Sequence, residues 1–245
     1  MLVICLDLKR FFVIYTYVGY KTMDERVLQI LIDSFMKILM AGIRVTIPLS
    51  VLSFLFALVI SIVVAVIQYA NIRGLKQLCR FYIWIIRGTP ILVQLYLVLY
   101  GLPSIGIVLP AFPAAVLCFA INEGAYMAES MRAALEAVPK GQLEAGYCVG
   151  MSYWQIMRRI ILPQAFRTAF PSLSNSFISM IKGTSMASTI TVTEMIRQTQ
   201  IINGRVYQTL ALYLEVGFIY LMFCTILTWL QGWGEKKLNV YGGTK

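Results

Sequence analysis

From Val45 to Tyr69 no charged side chain interrupts the chain. A run of that length is enough to cross the ~30 Å hydrocarbon core of a bilayer as a helix. In lipid a spanning segment must satisfy its own backbone hydrogen bonds, so the run commits the chain to a membrane fold built from helices. Composition agrees. Hydrophobic residues make up 59% of the chain and charged residues 13%, with a mean hydropathy of +0.76. A soluble domain would carry about 25% charged residues. The net charge of +10 fits the lysine and arginine bias of cytoplasmic loops facing anionic membrane lipid. No motif that reads RNA or DNA accompanies it, so nucleic acid is excluded as a partner. Cys5, Cys79, Cys118, Cys148 and Cys224 are scattered without CxxC spacing and read as small apolar fillers. The chain has no histidine, which removes imidazole catalysis and most transition-metal sites.

Along the chain, Phe11 to Tyr20 is apolar but too short to span, and no small-residue cleavage site follows it. Met23 opens Met-Asp-Glu-Arg, a plausible translation start, which would make residues 1–22 an upstream extension. Between Asp24 and Ile43, apolar Val27, Leu28, Leu31, Ile32, Phe35, Ile38 and Leu39 recur at helical spacing among Asp33 and Lys37. This predicts an interfacial amphipathic helix. Five spans follow: Val45–Tyr69, about 89–102, 111–131, about 170–193 and about 209–233. The second needs Phe81–Ile86 to reach full length, or is a broken helix. The expected organisation is thus residues 1–44 as extension and interfacial helix, 45–233 as the transmembrane domain and 234–245 as a tail.

Charge predicts orientation. Arg73, Lys76, Arg80 and Arg87 follow the first span. Arg132, Lys140, Arg158, Arg159 and Arg167 lie between the third and fourth, and Lys236, Lys237 and Lys245 close the chain. The positive-inside rule then puts these segments and the C-terminus in the cytoplasm and the N-terminus outside.

The cytoplasmic loop carries the most unusual pattern. Pro139 ends what precedes it, and Gln142 to Ile161 reads as one helix stopped by Pro163. Gly146 and Gly150, four apart, would share a face that a partner can approach closely, with Ala145 beside it. Spacing alone leaves two readings, a docking surface or a connector with an accidental GxxxG. Trp154, Ile156, Met157, Ile160 and Ile161 would anchor this helix beneath the bundle.

Residues 132–167, running through Glu144-Ala-Gly-Tyr-Cys-Val-Gly150 and Ile161-Leu-Pro-Gln-Ala-Phe-Arg167, resemble the EAA loop of ABC importer permeases, specifically the polar amino acid uptake family. Arg87-Gly-Thr-Pro-Ile-Leu-Val-Gln94, Gly124-Ala-Tyr-Met-Ala-Glu129, Pro171-Ser-Leu-Ser-Asn175, Lys182-Gly-Thr-Ser185 and Val192-Thr-Glu194 agree with that family in order. Together they cover about residues 27–238. The resemblance implies a type I ABC importer permease in a bacterial cytoplasmic membrane. It would be an all-α protein of five transmembrane helices with a cytoplasmic coupling helix formed around Glu144, Ala145, Gly146 and Gly150. It further implies a cytoplasmic ABC ATPase dimer, an extracytoplasmic amino-acid-binding protein and a second permease subunit, identical or paralogous. Gly146 stands where the family usually has alanine, and Gly183 where an acidic residue is common. The chain has no GxxxxGK[ST] phosphate loop, so ATP-Mg would be held by the partner ATPase and no cofactor by this chain.

Intramembrane polar residues supply candidates for a substrate pathway. A carboxylate in hydrocarbon costs several kcal/mol unless it faces a cavity or partner. Glu123, beside Asn122, would therefore meet the cation of an amino acid, or pair with Lys182 or a neighbouring helix. Lys182, Thr184 and Ser185 surround Gly183, where a loosened helix would expose polar groups to substrate; alternatively the hydroxyls bond back to helix carbonyls. Gln94 lies one turn past the Gly88–Pro90 break. Glu129 and Arg132 read as a helix-end pair, Glu194 as part of a solvated outer loop and Glu215 as a snorkelling residue. The functional reading is an ATP-driven amino acid importer subunit working by alternating access. The alternative is an ion-gradient-driven secondary transporter or channel using Glu123 and Lys182 as an ion site. A membrane enzyme is disfavoured, because the chain has no histidine and no paired acids at the membrane edge.

Overall fold

The computed structural model describes residues 25–239, and every regular element in them is helical. The expected start at Met23 and the tail charge Lys245 lie outside the described residues. Helix α1 runs Glu25–Tyr69 without a break. The expected boundary at residue 44 is therefore not a chain break. A π turn at Gly42–Thr46 carries the amphipathic segment directly into the charge-free span. Gly42 sits against Met195 and Phe223 there. At 1.5 Å per residue α1 is about 68 Å long, roughly twice what one crossing needs.

Helix α2 (Leu75–Arg87) and α3 (Ile91–Ile105) meet at 100°. The break falls on Gly88, Thr89 and Pro90, where glycine frees the backbone and proline removes a donor. The expected second span is thus a broken helix. Gln94 fastens the corner, its amide donating to the Ile86 carbonyl at 2.9 Å and to Thr89 Oγ1 at 2.7 Å.

Helix α4 (Ala111–Glu136) forms the most extensive helix pair with α1. Ser50, Ser53, Ala57, Ser61 and Ala65 line the buried face of α1, and Ala114, Ala115, Ala125 and Ala128 are buried on α4. Small side chains let two membrane helices approach where no hydrophobic effect drives them together. Tyr82 of α2 donates to the Ile121 carbonyl at 2.6 Å, joining α2 to the same pair. At the end of α4, Arg132 pairs with Glu129 at 3.0 Å and Glu136 at 2.8 Å, the helix-end pairing expected from sequence.

Helix α5 (Lys140–Cys148) is followed by α6, which opens at Tyr153–Ile156, widens through a π turn at Met157–Ile161 and continues as Leu162–Gly183. A 3-10 segment (Thr184–Ile190), α7 (Met195–Val206) and α8 (Thr209–Asn239) complete the described residues. Helix α8 extends past the expected end of the fifth span at residue 233.

Among the described residues three helices, within α1, α4 and α8, are long and apolar enough to cross a membrane, and the bent pair α2–α3 makes a fourth if it counts as one span. Helix α6 falls short on apolarity rather than length. It carries Ser172, Ser174, Asn175, Ser176 and Ser179 between Arg167 and Lys182. Its packing against α4, α8 and α1 covers one side of it, where Ser174 and Ser176 are half-buried, while Ser172, Asn175 and Ser179 stay exposed.

Glu215 does not snorkel. It is buried on α8 and accepts a hydrogen bond from Ser34 on the first half of α1. Ser34→Ala leaves that carboxylate without its partner, a loss of about 1–3 kcal/mol. The variant is expected to unfold at a lower temperature in detergent; an unchanged midpoint would show that the pair does not hold α1 to α8.

Candidate functional site

Helix α5 is shorter than the sequence pattern predicts. It stops at Cys148, and Gly150 takes a left-handed conformation with φ of 78°. The Met151 amide donates to the Gly146 carbonyl at 3.1 Å and the Gly150 amide to Tyr147 at 2.9 Å, a Schellman closure that glycine makes easily. Ser152 and Gln155 then start α6 with a reciprocal capping box. Helix α6 also passes through Pro163 rather than stopping there. The π turn just before it widens the helix where proline supplies no amide.

Gly146 and Gly150 therefore do not share a helix face. Gly146 is buried, and a Cβ added to it would lie 2.6 Å from Ile156 Cγ1. Its lack of a side chain seats α5 on α6. Gly150 has open space around it. The outward surface consists of Glu144, Ala145, Tyr147 and Val149, joined by Trp154 at 69% exposed. Of the expected anchors, Ile156, Met157 and Ile161 are buried, whereas Trp154 points out. Tyr147 and Val149 escaped the sequence reading, and Trp154 is assigned there as an anchor. The signal that would have exposed them was the cap sequence Gly150-Met-Ser152 followed by Gln155, which ends one helix and begins another. Tyr69 and Tyr147 lie near Tyr153, so the C-terminal end of α1 and this corner share one end of the bundle.

The second candidate region runs along α6. Thr168, Ser172, Asn175, Ser179 and Lys182 recur at helical spacing, and all are exposed. Ser172 donates across to Ser130 on α4 at 2.9 Å. On the opposite side of α6, Phe166, Phe170, Leu173 and Phe177 line an apolar groove of about 310 Å³ shared with α1 and α8. The helix is thus apolar on one face and hydroxyl-rich on the other. Hydrocarbon cannot satisfy such a polar face, so a cavity or another protein surface must cover it.

The pathway candidates divide between this stripe and internal structure. Glu123 is half-buried on α4 and meets Ser176 of α6. Lys182 is exposed on the stripe and lies beside Cys224 of α8. Among the described residues the two form no ion pair, so of the two structural readings of Glu123 it is the contact with a neighbouring helix that is seen. Ser185 is half-buried. Thr184 is fully buried and donates back to the Ile181 carbonyl at 2.7 Å. Asn122 donates to Gln94 Oε1 at 3.0 Å, so these two amides satisfy each other and the α2–α3 corner. Glu194 is not in a solvated loop. It is wholly buried, caps α7 through the Arg197 amide at 2.8 Å, and accepts from Tyr220 at 2.8 Å.

Residues 57–240 match the family described as binding-protein-dependent transport system inner membrane component. The chain belongs to this family. The permease is 45% identical over 210 residues to the L-cystine transport system permease protein TcyB of Bacillus subtilis (strain 168), covering 85% of this chain and 90% of TcyB. It is 42% identical over 205 residues to the probable amino-acid ABC transporter permease protein PatM of Vibrio harveyi, covering 82% and 92%. The crystal structure of an amino acid ABC transporter with histidines superposes with a TM-score of 0.78 at 33% identity, covering 88% of the permease and 99% of that chain. An inward-facing MetNI methionine ABC transporter, at 17% identity and a TM-score of 0.69, shares the fold. The permease is therefore the membrane subunit of an ATP-driven amino acid importer with the type I fold, a multi-pass protein of the cell membrane. As a member of this family it works with an ATPase and a substrate-binding protein.

Proposed function

We propose that this permease pairs with a second copy of itself, that the two α6 polar stripes line a central pathway, and that L-cystine is the amino acid carried. The exposed hydroxyl-rich face of α6 carries the reading, because a membrane helix with Ser172, Asn175, Ser179 and Lys182 outward needs a wet or protein-covered surface. Glu123 and Lys182 supply opposite charges for an amino acid zwitterion. Two copies would present two such sets, matching the two amino and two carboxylate groups of cystine. The 45% identity to a cystine permease favours that substrate.

In this reading the ATPase is a separate cytoplasmic dimer that holds ATP-Mg and docks on α5. Glu144, Ala145, Tyr147, Val149 and Trp154 form the contact, Gly146 fixes the angle of α5 on α6, and Gly150 turns the chain between them. The basic residues Arg73, Lys76, Arg80, Lys140, Arg158 and Arg159 put this end in the cytoplasm, with the N-terminus outside. The binding protein delivers substrate from outside. Closure of the ATPase on ATP opens the pathway outward, and hydrolysis resets it.

Proteoliposomes with the permease, its ATPase and its binding protein are expected to accumulate radiolabelled L-cystine only with ATP, and to keep doing so with an ionophore present. Uptake of another amino acid in preference to cystine would overturn the substrate assignment. Recovery of a mixed pair of permeases from cells would overturn the homodimer.

A further inference from the structure

We propose that Tyr220 and Glu194 are positioning residues that clasp the 3-10 segment at the outer end of α6 and so set the geometry of Lys182 and Ser185. The inference rests on the reading of α6 as the pathway lining. Three observations carry it.

The first is the segment itself. Thr184–Ile190 is a 3-10 helix of seven residues, whereas such runs rarely exceed three or four because their hydrogen-bond geometry is poorer. Three of its four hydroxyls follow the tighter register: Thr184 donates to Ile181, Ser188 to Ser185 and Thr189 to Met186, each three residues back. A tight mid-chain stretch of this kind marks a place where the helix can change pitch.

The second is how the segment ends. Thr191 has φ of 68° and ψ of 9°. A β-branched residue is strongly disfavoured in that region, and it persists only where the surroundings impose it. The Thr191 amide donates to Ser188 and the Val192 amide to Ala187. Ala187, Ile190 and Val192 are buried against Leu49, Leu95 and Phe119, which holds the apolar side of the segment.

The third is the clasp. The Tyr220 hydroxyl of α8 donates to Glu194 Oε2 at 2.8 Å, while Glu194 Oε1 accepts from the Arg197 amide. The same tyrosine hydroxyl reaches Thr184. Thr184 begins the 3-10 segment and spends its own proton on Ile181, and Glu194 lies just beyond the segment's end, so one hydroxyl on α8 packs against the start and hydrogen-bonds the residue past the end. It also ties them to the start of α7. Glu194 and Tyr220 do not face the stripe; they act on substrate through the segment they hold.

Tyr220→Phe removes the hydroxyl and keeps the ring. Glu194→Gln keeps a carbonyl oxygen for the Arg197 amide and weakens the tyrosine contact. With the full transporter in proteoliposomes, Tyr220→Phe is expected to speed hydrogen exchange at the amides of residues 185–192 about tenfold. It should raise KM for L-cystine about fivefold while changing the maximal rate less than about twofold. ATPase co-purification should equal wild type, and Glu194→Gln should shift both readouts in the same direction by a smaller factor. If Tyr220→Phe does not insert, Glu194→Gln alone decides. Wild-type exchange over residues 185–192 would overturn the clasp. Faster exchange with an unchanged KM would show that the segment is structural only, and would also overturn it. A wild-type KM for the transported amino acid in both Glu123→Gln and Lys182→Gln would instead overturn the pathway reading, and the inference with it.

Discussion

Gly146→Val is expected to cut ATP-driven uptake at least about tenfold while the helices above it stay folded. The added Cβ would fall 2.6 Å from Ile156 Cγ1 and 2.8 Å from Ile156 Cδ1. Ile156 has no room to retreat. It is wholly buried in a cluster with Leu135, Val138, Met157 and Ile161. Overpacking of this kind costs about 1–3 kcal/mol, and α5 has the easiest relief, which is to lift off α6. A lifted α5 moves the proposed ATPase contact at Glu144, Ala145 and Tyr147 without disturbing the membrane core. Helical content should therefore match wild type while ATPase co-purification falls. Ile156→Ala in the same chain should restore part of the uptake, since it vacates the volume valine needs; the double-mutant cycle isolates that coupling. Full uptake by Gly146→Val would show that the seat of α5 does not govern coupling. Gly150→Asp makes the contrast. Gly150 has nothing within 4 Å of an added Cβ, and aspartate enters the left-handed region more readily than most residues. It should lower uptake far less than the valine at Gly146.

That contrast marks the limit of what spacing reveals. The chain states its class through the charge-free run from Val45 to Tyr69 and its broken second span through Gly88 and Pro90. Gly146 and Gly150 were legible as unusual but not in role. Identical residues four apart suggest a shared face, yet one is a packing gap and the other a chain reversal. The capping box at Ser152 and Gln155 was the local signal that separates the two. The hydroxyls of α6 were harder. Each serine in a membrane helix is tolerable alone, and only the packing of α4, α8 and α1 around the other face shows that Ser172, Asn175 and Ser179 are the side left open. Glu194 and Glu215 were misread for a different reason. Both stand near helix ends, where solvent is the ordinary partner. Their actual partners are Tyr220, 26 residues on, and Ser34, 181 residues away. No local pattern reports a contact of that range.

Glu123→Gln is expected to raise KM for the transported amino acid about tenfold or more, because a hydrogen bond to a charged group contributes about 1.5–3 kcal/mol and each 1.4 kcal/mol is about tenfold in affinity. The variant is informative because the packing around Glu123 isolates its charge. Glutamine has nearly the same shape and can still meet Ser176 on α6, so the α4–α6 contact survives. No ion pair is broken either, since Lys182 lies beside Cys224 rather than Glu123. What disappears is the negative charge available to a substrate cation. Lys182→Gln removes the complementary charge and should raise KM in the same direction. Because the two side chains do not touch, their effects should multiply if they hold opposite ends of one zwitterion. ATPase co-purification should be unchanged in both, which separates a loss of substrate binding from a loss of assembly. A wild-type KM in Glu123→Gln would return this carboxylate to helix packing, and a wild-type KM in both variants would move substrate recognition off the α6 stripe altogether.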